Sequence, residues 1–202
     1  MRPLLRTCAI ALALSLGGCS LGGLLGGAKP PTTLVTLTPQ AAEPEQIART
    51  AAAGQSVTIA TPTVARELST VRVPVQVSPT DVQYVANLQL ADTPARLFAN
   101  LVGETVRRTT NRVVLDFGQT TLDPGLQVTG ALQKFGYDAA SGQVIVQYDG
   151  ALSTAGGSRV ETRRFTAAVP SDGTAGSVGP ALNRAANQVA GEVAQWIGGS
   201  SI

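Results

Sequence analysis

Three strand-length runs stand in series in the second half of this chain, and their connections are too short for anything but antiparallel neighbours. They cover residues 126–137, 143–152 and 159–169. The turn Asp138-Ala139-Ala140-Ser141-Gly142 joins the first two, and Gly156-Gly157 turns the chain into the third. Hairpin-length links of this kind make a meander. Val144, Val146, Tyr148 and Leu152 share one face of the middle run. Phe165, Ala167 and Val169 alternate with Arg164, Thr166 and Ala168 in the third. A sheet with one apolar face needs a second layer to cover it.

Two helical patterns supply that layer. Asp92 or Thr93 can cap the first, and Pro94 suits its first position. Leu97, Leu101 and Thr105, with Phe98, Val102 and Val106, recur at three-to-four spacing, and Arg107 and Arg108 favour the C-terminal end of the dipole. Pro180 opens the second helix. There Val178, Leu182, Ala186, Val189, Val193 and Ile197 form the apolar side, Arg184, Gln188 and Gln195 lie opposite, and Gly198-Gly199 ends it. The expected fold is therefore α+β: a two-layer domain with a mostly antiparallel sheet and two amphipathic helices packed on it.

The segments before these are shorter. Leu34, Val35 and Leu37 make a brief β-type run. Residues 41–54 are Ala-rich with Glu43, Glu45 and Arg49, which leaves a short helix and an exposed loop both open. Val57 and Ile59 place a strand in 56–61, limited by Pro62. Val71, Val73, Val75 and Val77 alternate with polar neighbours, and Pro74 demotes that run to an edge or interrupted strand. Residues 81–90 continue extended around Val82, Tyr84 and Val85. Val113, Val114 and Leu115 are apolar in series within 112–117, as in a doubly covered strand.

The N-terminus is of another kind. Arg2 and Arg6 precede an apolar stretch, residues 8–16, that is shorter than the roughly 20 residues needed to span a bilayer. Leu16-Gly17-Gly18-Cys19 follows, and the whole looks like a bacterial lipobox. Cleavage between Gly18 and Cys19, with Cys19 carrying palmitate-type acyl chains, divides the chain into three. Residues 1–18 are a lipoprotein signal peptide, 19–32 an acylated cysteine and flexible tether, and 33–202 one α+β domain. Two or three acyl chains give stable anchoring.

Processing also alters the charge. Loss of Arg2 and Arg6 takes the 15 basic residues to 13, against 13 acidic ones. No basic tail remains for nucleic acid, and the clusters at Arg107, Arg108, Arg112, Arg163 and Arg164 read as a solvated helix end and strand face. Cys8 leaves with the signal and Cys19 is acylated, so the core must be held by aliphatic packing without a disulfide. Histidine is absent, which removes Ser-His-Asp and Cys-His nucleophile systems and the commonest zinc ligand. The glycine-rich stretch before Lys29 lacks the G-K-[ST] of a phosphate loop, since Ala28 and Pro30 flank that lysine. Neither catalytic residues, nor a metal site, nor a cofactor is expected.

The order of elements resembles the ABC-type transport auxiliary lipoproteins, the family of paraquat-inducible protein C. The likeness rests on the lipobox at Cys19, the opening run 34–37, the pairing of 71–77 with 81–84, and the Leu90-Ala91-Asp92 approach to a Leu-rich helix. It continues through the meander to a final Ala-rich helix ending in Trp196. One departure stands: Ala86-Asn87-Leu88-Gln89 occupies the place where family members often carry a tryptophan. The resemblance implies a non-enzymatic accessory part of a lipid-transport system, with an MCE-domain protein and an ABC permease–ATPase pair as partners. Ser20 after the cysteine implies the periplasmic face of the outer membrane, and a homo-oligomer is in keeping with the family.

On the residues alone, Tyr84, Leu88 and Leu90 on the 81–90 edge are the candidate partner interface. Tyr84, Phe98, Tyr137, Tyr148 and Trp196 are the aromatics able to anchor an interface, with core packing as the alternative for each. Two other functions compete: a regulator of a peptidoglycan synthase, and a lipid carrier with a cleft lined by Leu97, Leu101, Val189 and Val193.

Overall fold

The sheet is organised by one long strand whose two edges are used differently. A computed structural model describes residues 33–44, 49–116, 119, 123, 125–154 and 159–200. The chain divides after Thr32 into two units, and the described residues all belong to the second. In chain order its elements are β1 (Val57–Ile59), β2 (Thr63–Val64), a 3-10 turn (Arg66–Leu68), β3 (Arg72–Gln76), β4 (Val82–Gln89) and α1 (Pro94–Thr109). Then come β5 (Val114–Leu115), β6 (Leu126–Asp138), β7 (Gln143–Ser153), β8 (Val160–Pro170) and α2 (Ala175–Gly199).

Along one edge of β6 lie β1, β2 and β3, end to end and all parallel to it, in register at Val57 with Leu126, Thr63 with Ala131 and Val75 with Tyr137. The other edge of β6 takes β7 antiparallel, and β8 follows β7 antiparallel. β5 flanks β1, and β4 flanks β3. The expected meander is β6–β7–β8, and the expected pairing of the Val-rich run with the next is the β3–β4 hairpin. The parallel pairings are additional to what alternation suggested. Pro62 separates β1 from β2, so a run that would otherwise be one long strand is broken into short ones. Opposite Pro74, β4 bulges: Arg72 and Pro74 face Gln89 and Tyr84, and Asn87 within the bulge has φ 57°. Asparagine tolerates that left-handed conformation better than most side chains.

Both helices cover the same sheet face. Val178, Leu182, Ala186, Val189, Val193 and Ile197 of α2 are completely buried, as are Val144 and Val146 beneath them. Phe98, Leu101, Val102 and Val106 of α1 close the rest of the core. Each such aliphatic side chain contributes about 1.5–3 kcal/mol on burial. The alanines between them (Ala181, Ala185, Ala190 and Ala194) are also fully buried and let α2 lie close to its neighbours.

Four expectations are corrected by the fold. α2 begins at Ala175 instead of Pro180, which lies inside the helix; only one ladder donor is lost, and the buried face holds the helix through it. Thr174 and Thr93 occupy the N-cap positions without a side-chain cap bond to the helix; their N–H and hydroxyl groups donate to Asp172 and Asp92. The 112–117 run is a strand only at Val114–Leu115, half-buried at the sheet edge beside β1; Phe117 lies outside the described residues. The β-type run at 34–37 forms a single parallel bridge, Val35 with Leu90. Residues 41–44 and 49–54 hold no helix, and 45–48 lie outside the described residues.

An aromatic series crosses the core from one helix to the other. Phe98 stands 5.1 Å from Tyr148, Tyr148 is 6.4 Å from Phe165, and Phe165 is 5.5 Å from Trp196. Tyr148 fits because Gly130 and Gly150 pair beside it: a Cβ on Gly130 would fall 2.2 Å from the Asp149 carbonyl and 2.7 Å from the ring. The Tyr148 hydroxyl donates to the Thr129 carbonyl at 2.8 Å, and burial pushes its pKa up to about 12. At the start of β6, the Asp123 carboxylate accepts the N–H groups of Gly54 (2.7 Å) and Ser56 (3.0 Å), stapling the preceding turn to the sheet. The Gly54 bond, then those from Ser56, lower its pKa below the ordinary 3.8.

Gly130→Ala is expected to lower stability by about 1–3 kcal/mol through overpacking. Gly191→Ala, mid-helix with nothing within 4 Å of its Cβ, should raise it by about 0.5–1 kcal/mol. Urea midpoints of the two variants check the opposite signs. Because the folded Asp123 has a depressed pKa, its contribution is present above its unfolded pKa and is lost as pH falls through the folded value. Asp123→Asn should therefore flatten the stability–pH curve in that acid window, measured by thermal unfolding at a series of pH values.

Candidate functional site

The described chain opens with an extended strap that no regular element contains, and it is tied down at three places. First, the Val35 N–H donates to the Gln89 carbonyl, and the Ala91 N–H to the Val35 carbonyl, both at 2.8 Å. Second, α2 presents Asn183 and Asn187 one turn apart. Their Oδ1 atoms accept the N–H groups of Thr38 (2.9 Å) and Gln40 (2.7 Å), and Asn187 Nδ2 donates to the Thr38 carbonyl at 2.9 Å. Third, Arg108 Nη1 donates to the Ala41 carbonyl at 3.0 Å, while its Nε is held by Glu104 at 2.7 Å. Val35 and Leu37 pack against the core, and Leu34 stays exposed. Reading the α2 pattern for its apolar side passed over these asparagines; their i,i+4 spacing on the polar side was the available signal.

Of the candidate interface residues, only Tyr84 reaches the surface. It is half-buried, with the Arg72 guanidinium 4.1 Å above its ring and its hydroxyl 3.5 Å from the Glu67 carbonyl. Leu88 and Leu90 are 4% and 1% exposed. They belong to the core, Leu88 from within the bulged stretch of β4 and Leu90 just after it, where Val35 bridges it, and the expectation of a contact through them is corrected. Gly18 and Cys19 lie outside the described residues. Phe98 and Tyr148 are core, whereas Tyr137 and Trp196 are partly buried against it. Trp196 Nε1 approaches Glu161 Oε2 at 3.4 Å.

The stripes expected of a lipid carrier's cleft are closed. Leu97 and Leu101 are 8% and 2% exposed, and Val189 and Val193 are wholly buried. A hollow of about 700 Å³ opens instead where Gln55, Thr110, Arg112 and Gln195 meet. Its guanidinium is engaged, since Arg112 Nη2 donates to the Ser200 carbonyl at 2.7 Å and Nη1 to that of Gln55 at 3.4 Å. On the helix-free sheet face Arg164 grips Asp149 through two bonds of 2.6 and 2.7 Å. That grip lowers the Asp149 pKa and raises that of Arg164. Among the described residues no group of three His, Cys, Asp or Glu side chains is placed to hold a metal, and no helix is long and apolar enough to cross a membrane.

Leu88→Ala should cost about 2–5 kcal/mol of stability, and Tyr84→Ala about 1 kcal/mol or less. Denaturant unfolding of both separates the core position from the surface one.

Comparison with known proteins agrees with this architecture. The family model described as "ABC-type transport auxiliary lipoprotein component" matches residues 36–194. A crystal structure of a Xanthomonas campestris protein of the family model DUF330 is similar at 21% identity, covering 83% of this chain and 92% of that one, with a TM-score of 0.64. A structure described as an uncharacterized protein is similar at 14% identity, covering 74% and 96%, with a TM-score of 0.59. A PelC dodecamer from Paraburkholderia phytofirmans is similar at 13% identity, covering 76% and 96%, with a TM-score of 0.44. Comparison with curated proteins gives no match. The match spans the strap, the sheet and both helices, and the chain belongs to the ABC-type transport auxiliary lipoprotein component family.

Proposed function

We propose that this protein is anchored to the periplasmic face of the outer membrane through acyl chains on Cys19. There it serves as a non-enzymatic docking component of an MCE-type lipid transporter with its ABC permease and ATPase. Family membership over 36–194 carries the reading. Three features support it. The lipobox stands immediately upstream of the domain, with 14 residues from Cys19 to Thr33 and a reach of at most about 50 Å. The interior is packed shut over the stripes a carrier would need open. Histidine and a phosphate loop are both missing from the chain, so energy is supplied by the partner ATPase.

In this reading residues 1–18 are removed, 19–32 form the tether and 33–202 the docking domain. A homo-oligomer is part of the proposal, and the outer edge of β8, which ends the sheet on the meander side, is available for it.

Cys19→Ser is expected to abolish labelling by a palmitate analogue and to remove the protein from the outer-membrane fraction. Affinity capture of the acylated protein from detergent-solubilised envelopes should enrich an MCE-domain protein and a permease–ATPase pair. Enrichment no greater than with an unrelated lipoprotein overturns the transporter role, and stimulation of a peptidoglycan synthase by the domain would replace it.

A further inference from the structure

We propose that the helix-free sheet face, at its β3–β4 end, rests on the bilayer that holds the acyl anchor and contacts its anionic phospholipid headgroups. The inference rests on the Cys19 anchor proposed above. An apolar band crosses this face from strand to strand. Tyr84 lies opposite Pro74, and a Cβ on Gly136 would stand 2.3 Å from the Pro74 carbonyl. Gly136 in turn pairs with Ile145, and Ile145 with Ala168. Directly opposed residues share a face. Ile145 alternates with Val144 and Val146, which are buried under the helices, so the band looks away from the helical layer. Val82, two residues before Tyr84 and 38% exposed, widens it. Pro74, Gly136 and Ile145 also line a hollow of about 50 Å³ together with Lys134.

Cations border the band. Arg72 is exposed with its guanidinium over the Tyr84 ring, and Lys134 is exposed two residues before Gly136. Among the described residues neither forms an ion pair. The acidic side chains of the same face are engaged: Asp149 is gripped by Arg164, and Asp138 accepts the Ser141 N–H at 3.0 Å. Tyrosine beside aliphatic surface, flanked by long basic side chains, is the chemistry of a membrane–water interface. The stems lie along apolar surface while the charged heads meet phosphates. One such cation near an anionic leaflet strengthens binding about fivefold.

The point where the chain enters the domain selects the bilayer as occupant. The described residues begin at Thr33, and the next one, Leu34, is 57% exposed. Val35 packs on the core and bridges Leu90, so Leu34 looks the other way in this extended segment. It lies beside Gln89, whose opposite neighbour on β3 is Arg72. The 14 residues from Cys19 to Thr33 thus run into a corner of the same face. Tethering makes the contact intramolecular, at an effective concentration of about millimolar. A patch too weak to recruit a free protein is therefore occupied once the protein is anchored.

The test uses the full-length acylated protein in phosphatidylethanolamine–phosphatidylglycerol vesicles. One fluorophore is placed on Val82→Cys, within the band, and in a second preparation on Gln188→Cys, exposed on the outward side of α2. Spin-labelled phospholipid should quench the first probe and leave the second bright. Arg72→Gln with Lys134→Gln should weaken the contact by about tenfold or more, as the loss of two cations requires. Salt of about 1 M, which shortens the Debye length to about 3 Å, should weaken it without any substitution. Phosphatidylcholine vesicles should do the same. Equal quenching at the two positions, or quenching at Val82→Cys indifferent to salt, lipid charge and the double variant, overturns the proposal. So does a probe at that position that is unquenched by lipid and crosslinks to a transporter subunit, which would make a protein the occupant. Mass spectrometry of residue 19 separates the two readings: a missing acyl mass overturns the anchor, whereas an acylated protein without the contrast overturns the face alone.

Discussion

The structure depends on β6 taking partner strands on both of its edges. One edge receives a single partner that returns through a tight turn; the other receives three short strands contributed by a much earlier part of the chain. Those three pairings are parallel and far apart in sequence, so they form only when 57–76 is laid alongside β6. Everything at the sheet's periphery is then placed by them, with β5 carried by β1 and β4 carried by β3. The long antiparallel hairpins supply most of the ladder, and the broken parallel lane determines where the helical layer and the strap can sit.

Packing over that sheet leaves little interior for chemistry. The helix faces are aliphatic and closed, and the aromatic series from Phe98 to Trp196 joins α1 to α2 across the strands. Tyr148, the titratable group in that series, is held protonated by burial, and its hydroxyl is engaged by the Thr129 carbonyl. The functional interest of the domain therefore lies on its outside and at its N-terminal end. The strap, the β4 end of the sheet and the helix-free sheet face with its Asp149–Arg164 pair lie on that outside.

The legibility of the chain followed the range of the interactions. The three long strands and the Leu97–Val106 stripe were readable because periodicity is a property of neighbouring residues, and each repeat found its face in the fold. Proline was a weaker guide. Pro94 does open α1, but Pro180 sits inside α2, where burial of Val178 and Gly179 accompanies the extra turn on its N-terminal side. Serial apolarity misled at Val113–Leu115, which is an edge and half-buried, because a short apolar run carries no information about how many neighbours flank it. Leu88 and Leu90 misled for a related reason: Leu88 sits in the bulge around Asn87 and Leu90 beside the Val35 bridge, and both are buried in the core.

Local patterning was thus sufficient for the α+β class, the meander, the two helix faces and the lipobox that points to Cys19. Each is written in residues a few positions apart, where backbone geometry alone dictates which side chains share a face. The parallel lane along β6, the burial of Leu88 and Leu90 and the grip of Asn183 and Asn187 on Thr38 and Gln40 came only with the folded chain. Those contacts join residues up to 149 positions apart, and their partners are selected by packing and by the demand that polar groups taken from water find new hydrogen bonds.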